Sequence, residues 1–158
     1  MNGSLQVLRL EVRSDVAAFA ARVAEIESLT ISAQTTDANL MARAAVALHH
    51  AYGAFEAALA RVARVFDTEP VGPNWHRSLL ETMTMEVPGL RPAVVTQQAL
   101  PDLRDLLAFR HFFRHGYQVA LDPGRLAALR ERAIRLRPTV DADWQRLDAW
   151  LAGLAAKT

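Results

Sequence analysis

The segment from Leu48 to Phe66 narrows the choice of fold more than any other. Leu48, Tyr52, Phe55, Leu59, Val62 and Phe66 recur at spacings of three and four, the period of one helix face. A strand would need strict alternation, and no run of alternating β-branched residues occurs anywhere in the chain. Asp37 is placed to cap this helix at its start. It then spans about thirty residues and about 45 Å, long enough to set the length of a bundle.

The rest of the chain reads the same way. Leu8, Val12, Val16, Phe19, Val23 and Ile26 give a first helix from about Leu5 to Ser28, which the polar run TISAQTTD interrupts. After the turn DTEPVGP, Asn74 is expected to cap a third helix that runs to Val87, where Pro88-Gly89 ends it. Residues 88–100 read as an irregular connection with a turn of helix after Thr96. Pro101 suits the first turn of a helix ending near Gly116 or Tyr117. A final helical stretch opens at Pro123; Pro138 should kink or divide it, and Trp144, Leu147, Trp150, Leu151 and Leu154 form the apolar side beyond. The expected fold is all-α, an up-and-down bundle of four main helices plus short extra helices. At 158 residues it is expected to be one domain, 1–158.

Composition excludes several chemistries. There are no cysteines, so disulfides, thiolate metal sites and cysteine nucleophiles are ruled out. The apolar runs are short and broken by charges, so no membrane span is expected. With no charged-then-apolar leader, a cytoplasmic location is expected. The net charge of +1 does not mark a nucleic-acid binder. Yet Arg110, Arg114, Arg125, Arg130, Arg132, Arg135 and Arg137 make the region after Phe109 locally basic, a patch that could attract an RNA backbone or simply be a solvated helix face.

The segment RHFFRHGY, Arg110 to Tyr117, carries the chemistry. With Arg110 set at zero on an ideal helix, Leu103, Leu106, Leu107, Phe113 and Tyr117 fall within about 60° of it. The arginine is thus centred on an apolar stripe, where an unpaired charge costs several kcal/mol. It needs an anionic partner, a ligand or a place in a cleft; Asp105 or another acid could be that partner. His115 lies about 140° around and about 7.5 Å along the axis. A permanent cation beside a group that exchanges protons near neutrality suits a phosphate. Two such residues do not readily converge from one helix, whereas a two-fold dimer packing these helices across its axis would bring two pairs together.

This Arg-x-x-x-x-His-x-Tyr arrangement, with polar His111 directly after the arginine, resembles the motif of the HEPN superfamily in its HepT-like ribonuclease toxin form. The segments LHHAYGAFEAALARVARVFD and GPNWHRSLLETMTMEVPGLRPAVV resemble helices of that group in order and spacing, so the likeness covers roughly residues 40 to 126. It implies a metal-independent endoribonuclease with catalytic Arg110 and His115, His111 and Arg114 supporting RNA contact, and a composite site in a homodimer. Cleavage through the ribose 2′-hydroxyl needs no protein nucleophile and no cofactor. It needs a proton-moving group, which His115 can be, and a cation for the crowded phosphorane, which Arg110 can be. The resemblance further implies a nucleotidyltransferase antitoxin that attaches AMP to Tyr117. By chemistry alone Tyr117 could equally be a core tyrosine with its hydroxyl at the rim. Gly116 departs from related motifs, which often carry a larger residue, and would fray the helix there.

Other candidates carry less. His111 and His115, four apart, could clamp a metal, but no acid lies at 107, 108, 114 or 118, so no metal site is expected. His49, His50 and His76 read as rim or helix-interior histidines, and Trp144 and Trp150 as packing anchors. The alternative function is a non-catalytic HEPN-type helical binding or scaffold subunit of a nucleotidyltransferase complex.

Overall fold

In the α2 helix, Ala38–Val65, the Asp37 carboxylate accepts from the Asn39 and Leu40 amides, satisfying two of the donors a helix start leaves open. The helix is held in a computed structural model that describes residues 2–66, 68–116 and 120–157. Six buried alanines of α2, among them Ala44, Ala51 and Ala63, let neighbouring helices approach closely along its length.

Around α2 the described residues form α1 (Asn2–Ser28), α3 (Trp75–Met83), a short 3-10 turn (Gln97–Ala99), α4 (Leu100–His115) and α5 (Pro123–Ala156). Cross-links between the long helices fix their directions. Arg61 near the end of α2 binds Asp15 and Glu11 of α1. Arg9 of α1 binds Asp148 near the end of α5, while Arg130 near the start of α5 donates to the Glu27 and Leu29 carbonyls at the end of α1. His49 of α2 packs on Phe113 of α4, and Asp102 early in α4 pairs with Arg135 of α5. Each helix therefore runs antiparallel to its neighbours in the ring α1, α2, α4, α5. This is the expected all-α, up-and-down arrangement of four main helices, and its core includes Phe19, Ile26, Tyr52, Leu103, Phe109 and Leu126.

Three boundaries differ from the sequence reading. The first helix begins at Asn2 rather than near Leu5. The third stops at Met83, not Val87, because the carbonyls that would extend it are already taken. The Met83 oxygen accepts from the Val94 and Val95 amides, and the Thr82 oxygen from Met85 N and from the Arg91 guanidinium. Pro88-Gly89 then turns the chain within a Val87–Arg91 bridge, with Gly89 at φ +76°. Asn74 stands at the N-cap position of α3 without a side-chain capping bond. Finally, α5 runs undivided through Pro138, which is exposed; the proline removes one amide donor and leaves the helix continuous.

The connection from α3 to α4 is pinned by two buried polar groups. Arg91 is buried and donates to the Thr82, Met85 and Pro92 carbonyls. Asp143 of α5 accepts from both the Thr96 amide and its hydroxyl. Together they fix where α4 begins and, through it, where the 110–115 segment lies. Among the described residues no helix is long and apolar enough to cross a membrane.

Candidate active site

Arg110 finds its anion inside its own bundle. Its Nη1 donates to Glu56 Oε1 of α2 at 2.7 Å, with the carboxylate side chain only 6 % exposed. The partner is thus Glu56 rather than Asp105, which binds Arg132 instead. One argument for a dimer falls with this: the arginine on the apolar stripe is accounted for within a single chain. Its Nε is buried and has no hydrogen-bond partner among the described residues. The side chain keeps 17 % exposure, so the guanidinium still reaches the surface.

The second oxygen of Glu56 holds a histidine. His76 Nδ1 lies 2.8 Å from Oε2. A carboxylate only accepts, so Nδ1 carries the proton shared with Glu56, and Nε2 is the nitrogen on the other side of the ring. The same ring is stacked on Trp75, with centroids 3.7 Å apart, and meets the His111 ring edge-on at 5.1 Å. His111 in turn stands 6.4 Å from His115, whose Nδ1 bonds the His111 carbonyl at 2.9 Å. That bond fixes His115 in the tautomer with a free Nε2. Both His111 and His115 are exposed.

A cleft of about 520 Å³ opens beside this row of imidazoles, between α3 and α4. His76 and His111 line it, with Asn74, Arg77, Arg104 and Asp105 around them. Its volume lies in the range of small-molecule sites. By contrast, the apolar void of about 30 Å³ between α1, α2 and α5 is lined by core residues, and its one carboxylate, Asp143, is committed to Thr96.

Of the expected site residues, Arg110, His111 and His115 are brought to one end of α4, linked through Glu56 and His76. Arg114 is exposed, on the turn that faces His49. Tyr117 lies outside the described residues. The basic stretch is largely neutralised. Arg130 pairs with Glu131, Arg132 with Asp102 and Asp105, and Arg135 with Asp102, while Arg125 lies over the Phe109 and Phe112 rings. Trp150 packs on Phe66, as an anchor should.

Glu56 and His76 are the site residues that sequence reasoning missed. Glu56 carried the same signal as Arg110: it falls about 40° from Tyr52 on the apolar face of α2, a charge where none should be unpaired. Tyr52, one turn earlier, is buried, its hydroxyl has no hydrogen-bond partner among the described residues, and burial and the Glu56 charge push its ionisation far up. A Cβ built on Gly53 would come within 3.9 Å of Arg110 Nε.

A family model described as HepT-like protein matches residues 43–151. No curated protein and no solved structure matches the chain.

Two histidines here give the fold a pH dependence of defined sign. Burial, and after it the charges of Arg110, His50 and Arg114, lower the pKa of His49. Burial, His76, Arg110 and His115 lower that of His111 against an opposing pull from Glu56. A depressed histidine binds fewer protons folded than unfolded, so stability is full above about pH 6.5 and falls as pH drops below it. Urea midpoints should therefore be lower at pH 5.5 than at pH 7.5. His49→Phe, which keeps a ring against Phe113, should narrow the gap; an unchanged gap would remove His49 from this account.

With the match covering more than two thirds of the chain, and Arg110, His111 and His115 on the last turns of α4, the chain belongs to the HepT-like family of the HEPN superfamily.

Proposed function

We propose that this protein is a metal-independent endoribonuclease, the toxin of a toxin–antitoxin pair, acting as a single domain over residues 1–158. The observation that carries this is the grouping of one partly exposed arginine with three imidazoles beside a nucleotide-sized cleft, in a HepT-like chain. Arg110, steadied on Glu56, offers its remaining donors to the pentacoordinate phosphate. His115, with Nε2 free, takes the proton from the ribose 2′-hydroxyl. His111 and Arg114 contact the RNA beside them. The 2′-oxygen bonds to phosphorus, the P–O5′ bond breaks, and a cyclic phosphate remains.

Arg110→Ala and His115→Ala should each lower cleavage of RNA by at least about a hundredfold. For His115→Ala the helical circular dichroism should be unchanged. Arg110→Ala strands the buried Glu56 charge, so Arg110→Lys, which keeps the ion pair but not the planar fork, is the cleaner variant. Products should end in 2′,3′-cyclic or 3′-phosphates, and cleavage should persist in EDTA. Cleavage abolished by the chelator would overturn the metal-free mechanism.

The active form in this reading is a homodimer with the Phe109 to Tyr117 segment at or beside the two-fold axis. Support comes from the helix geometry, which sets Arg110 towards α2 and His115 about 140° away from it. Light scattering on the purified protein should give twice the chain mass at micromolar concentration; a monomer that still cleaves RNA would discard the composite site.

The antitoxin in this proposal is a nucleotidyltransferase that attaches AMP to Tyr117. A phosphodiester two residues beyond His115 would set negative charge within a Debye length of both catalytic groups. Tyr117→Phe should keep ribonuclease activity yet escape silencing by the co-expressed nucleotidyltransferase, and the wild type should gain AMP increments in intact mass. A fully silenced Tyr117→Phe would show that neutralisation is steric.

A second reading has its own observation. Glu56 already neutralises Arg110, and acids neutralise most of the arginines after Phe109, as a non-catalytic scaffold subunit of a nucleotidyltransferase complex would tolerate. Absence of cleavage by the unmodified wild type would favour it.

A further inference from the structure

RNA cleavage by the ribose hydroxyl moves two protons, one off the 2′-oxygen and one onto the leaving 5′-oxygen. Arg110 cannot supply the second, because a guanidinium does not deprotonate in a protein. The geometry points to His76, held by Glu56, as the group that delivers it, an inference that rests on the ribonuclease reading above.

The imidazole is fixed on three sides. Trp75 covers a face at 3.7 Å, His111 meets it edge-on at 5.1 Å, and Glu56 binds Nδ1 at 2.8 Å. Nε2 has no hydrogen bond among the described residues and belongs to a ring that lines the 520 Å³ cleft. A buried carboxylate on Nδ1 orients a histidine and stabilises the cation it forms on gaining a proton. The protonated ring thus presents an Nε2–H donor to the cleft. His115 has only a neutral carbonyl behind its Nδ1, which suits it to the basic role.

The charged groups around His76 come from three helices. Glu56 of α2 stabilises its cation, Arg77 is its neighbour on α3, and α4 contributes Arg104, Asp105, Arg110 and His111. Arg77 and Arg104 share Glu81, so two of the cations carry their own counter-charge. In the reaction the 2′-oxygen bonds phosphorus as its proton passes to His115. The P–O5′ pair leaves with O5′, which takes the proton from His76 Nε2, and His76 is left neutral with Nδ1–H still on Glu56. In this scheme Glu56 is a positioning residue and His76 a catalytic one.

A leaving-group substitution separates this role from a structural one. A cleavage site is first mapped with wild-type protein on total RNA. Two oligoribonucleotides carrying that site are then made, one natural and one with sulfur in place of the bridging 5′-oxygen, since a thiolate leaves without a proton. His76→Asn keeps an amide donor near the Nδ1 position for Glu56 but cannot exchange protons. It should cleave the natural bond about 10²–10⁴-fold more slowly than wild type and the sulfur-bridged bond within about tenfold of it. Its rate on the natural substrate should also lack the fall at high pH that a required general acid is expected to give wild type. Glu56→Gln, which still accepts from Arg110, should give a smaller defect that the sulfur substrate likewise repairs. Equal losses on both substrates, or wild-type cleavage by His76→Asn, would overturn the role of His76 while leaving the ribonuclease reading intact. A wild type that cleaves neither substrate overturns both.

Discussion

Glu56 is where three helices meet, and the site is arranged around its two oxygens. One holds Arg110 of α4, the other His76 of α3, and the residue itself stands on the buried face of α2. Burying a carboxylate costs several kcal/mol unless its lone pairs are met by donors, and here both oxygens have one. Removing Arg110 leaves the Glu56 charge uncompensated and removing His76 leaves its second oxygen without a donor, so the three side chains behave as a unit and not as separable contacts. Ion pairs of this kind are often no more stabilising than well-packed apolar residues of equal volume. What the pair contributes is position: it directs a guanidinium and an imidazole to the same end of the bundle.

The short third helix follows from the same requirement for satisfied backbone. Had α3 continued to Val87, the Met83 carbonyl would have been spent on the Val87 amide. Instead it receives Val94 and Val95, drawing the connecting segment back along the helix. Arg91 closes the arrangement by filling three carbonyls at once. With its end fixed, α3 sets His76 over Glu56 from its first turn, and the opening between α3 and α4 becomes the cleft. A nine-residue helix would be marginal alone. Leu79, Leu80 and Met83, all fully buried, hold it in place.

Much of this was legible in the chain because local rules act over a few residues. The period of α2, the Asp37 cap, Pro101 at the start of α4 and Gly116 at its end all follow from such rules. So did the warning that Arg110 must have a partner. The partner's identity was not local: Glu56 and Arg110 are 54 positions apart, and Glu56 and His76 are 20 apart. Searching every apolar stripe for stray charges, and not only that of α4, would have brought Glu56 forward. The end of α3 had no such signal, since carbonyl competition from Val94, Val95 and Arg91 arises only once the connection folds back. Pro138 shows the opposite error, a strong local breaker overridden by the packing of Leu136, Val140 and Leu147 along one helix.

The distribution of charge bears on how such a site would hold RNA. Arginines that look like a basic field in sequence are mostly tied to acids of α2, α4 and α5, so little long-range attraction is left over from a net charge of +1. A ribonuclease built this way, as proposed, would contact few phosphates, and binding that neutralises few phosphates depends only weakly on salt. Its grip on the substrate would then come from the cleft between α3 and α4, lined by His76 and His111, and from Arg110 and His115 beside those two rings. Contacts of that kind act on one nucleotide step at a time. They favour selection at the scissile bond over tight general binding, and they concentrate the consequences of any added charge on the few ångströms around α4's last turn.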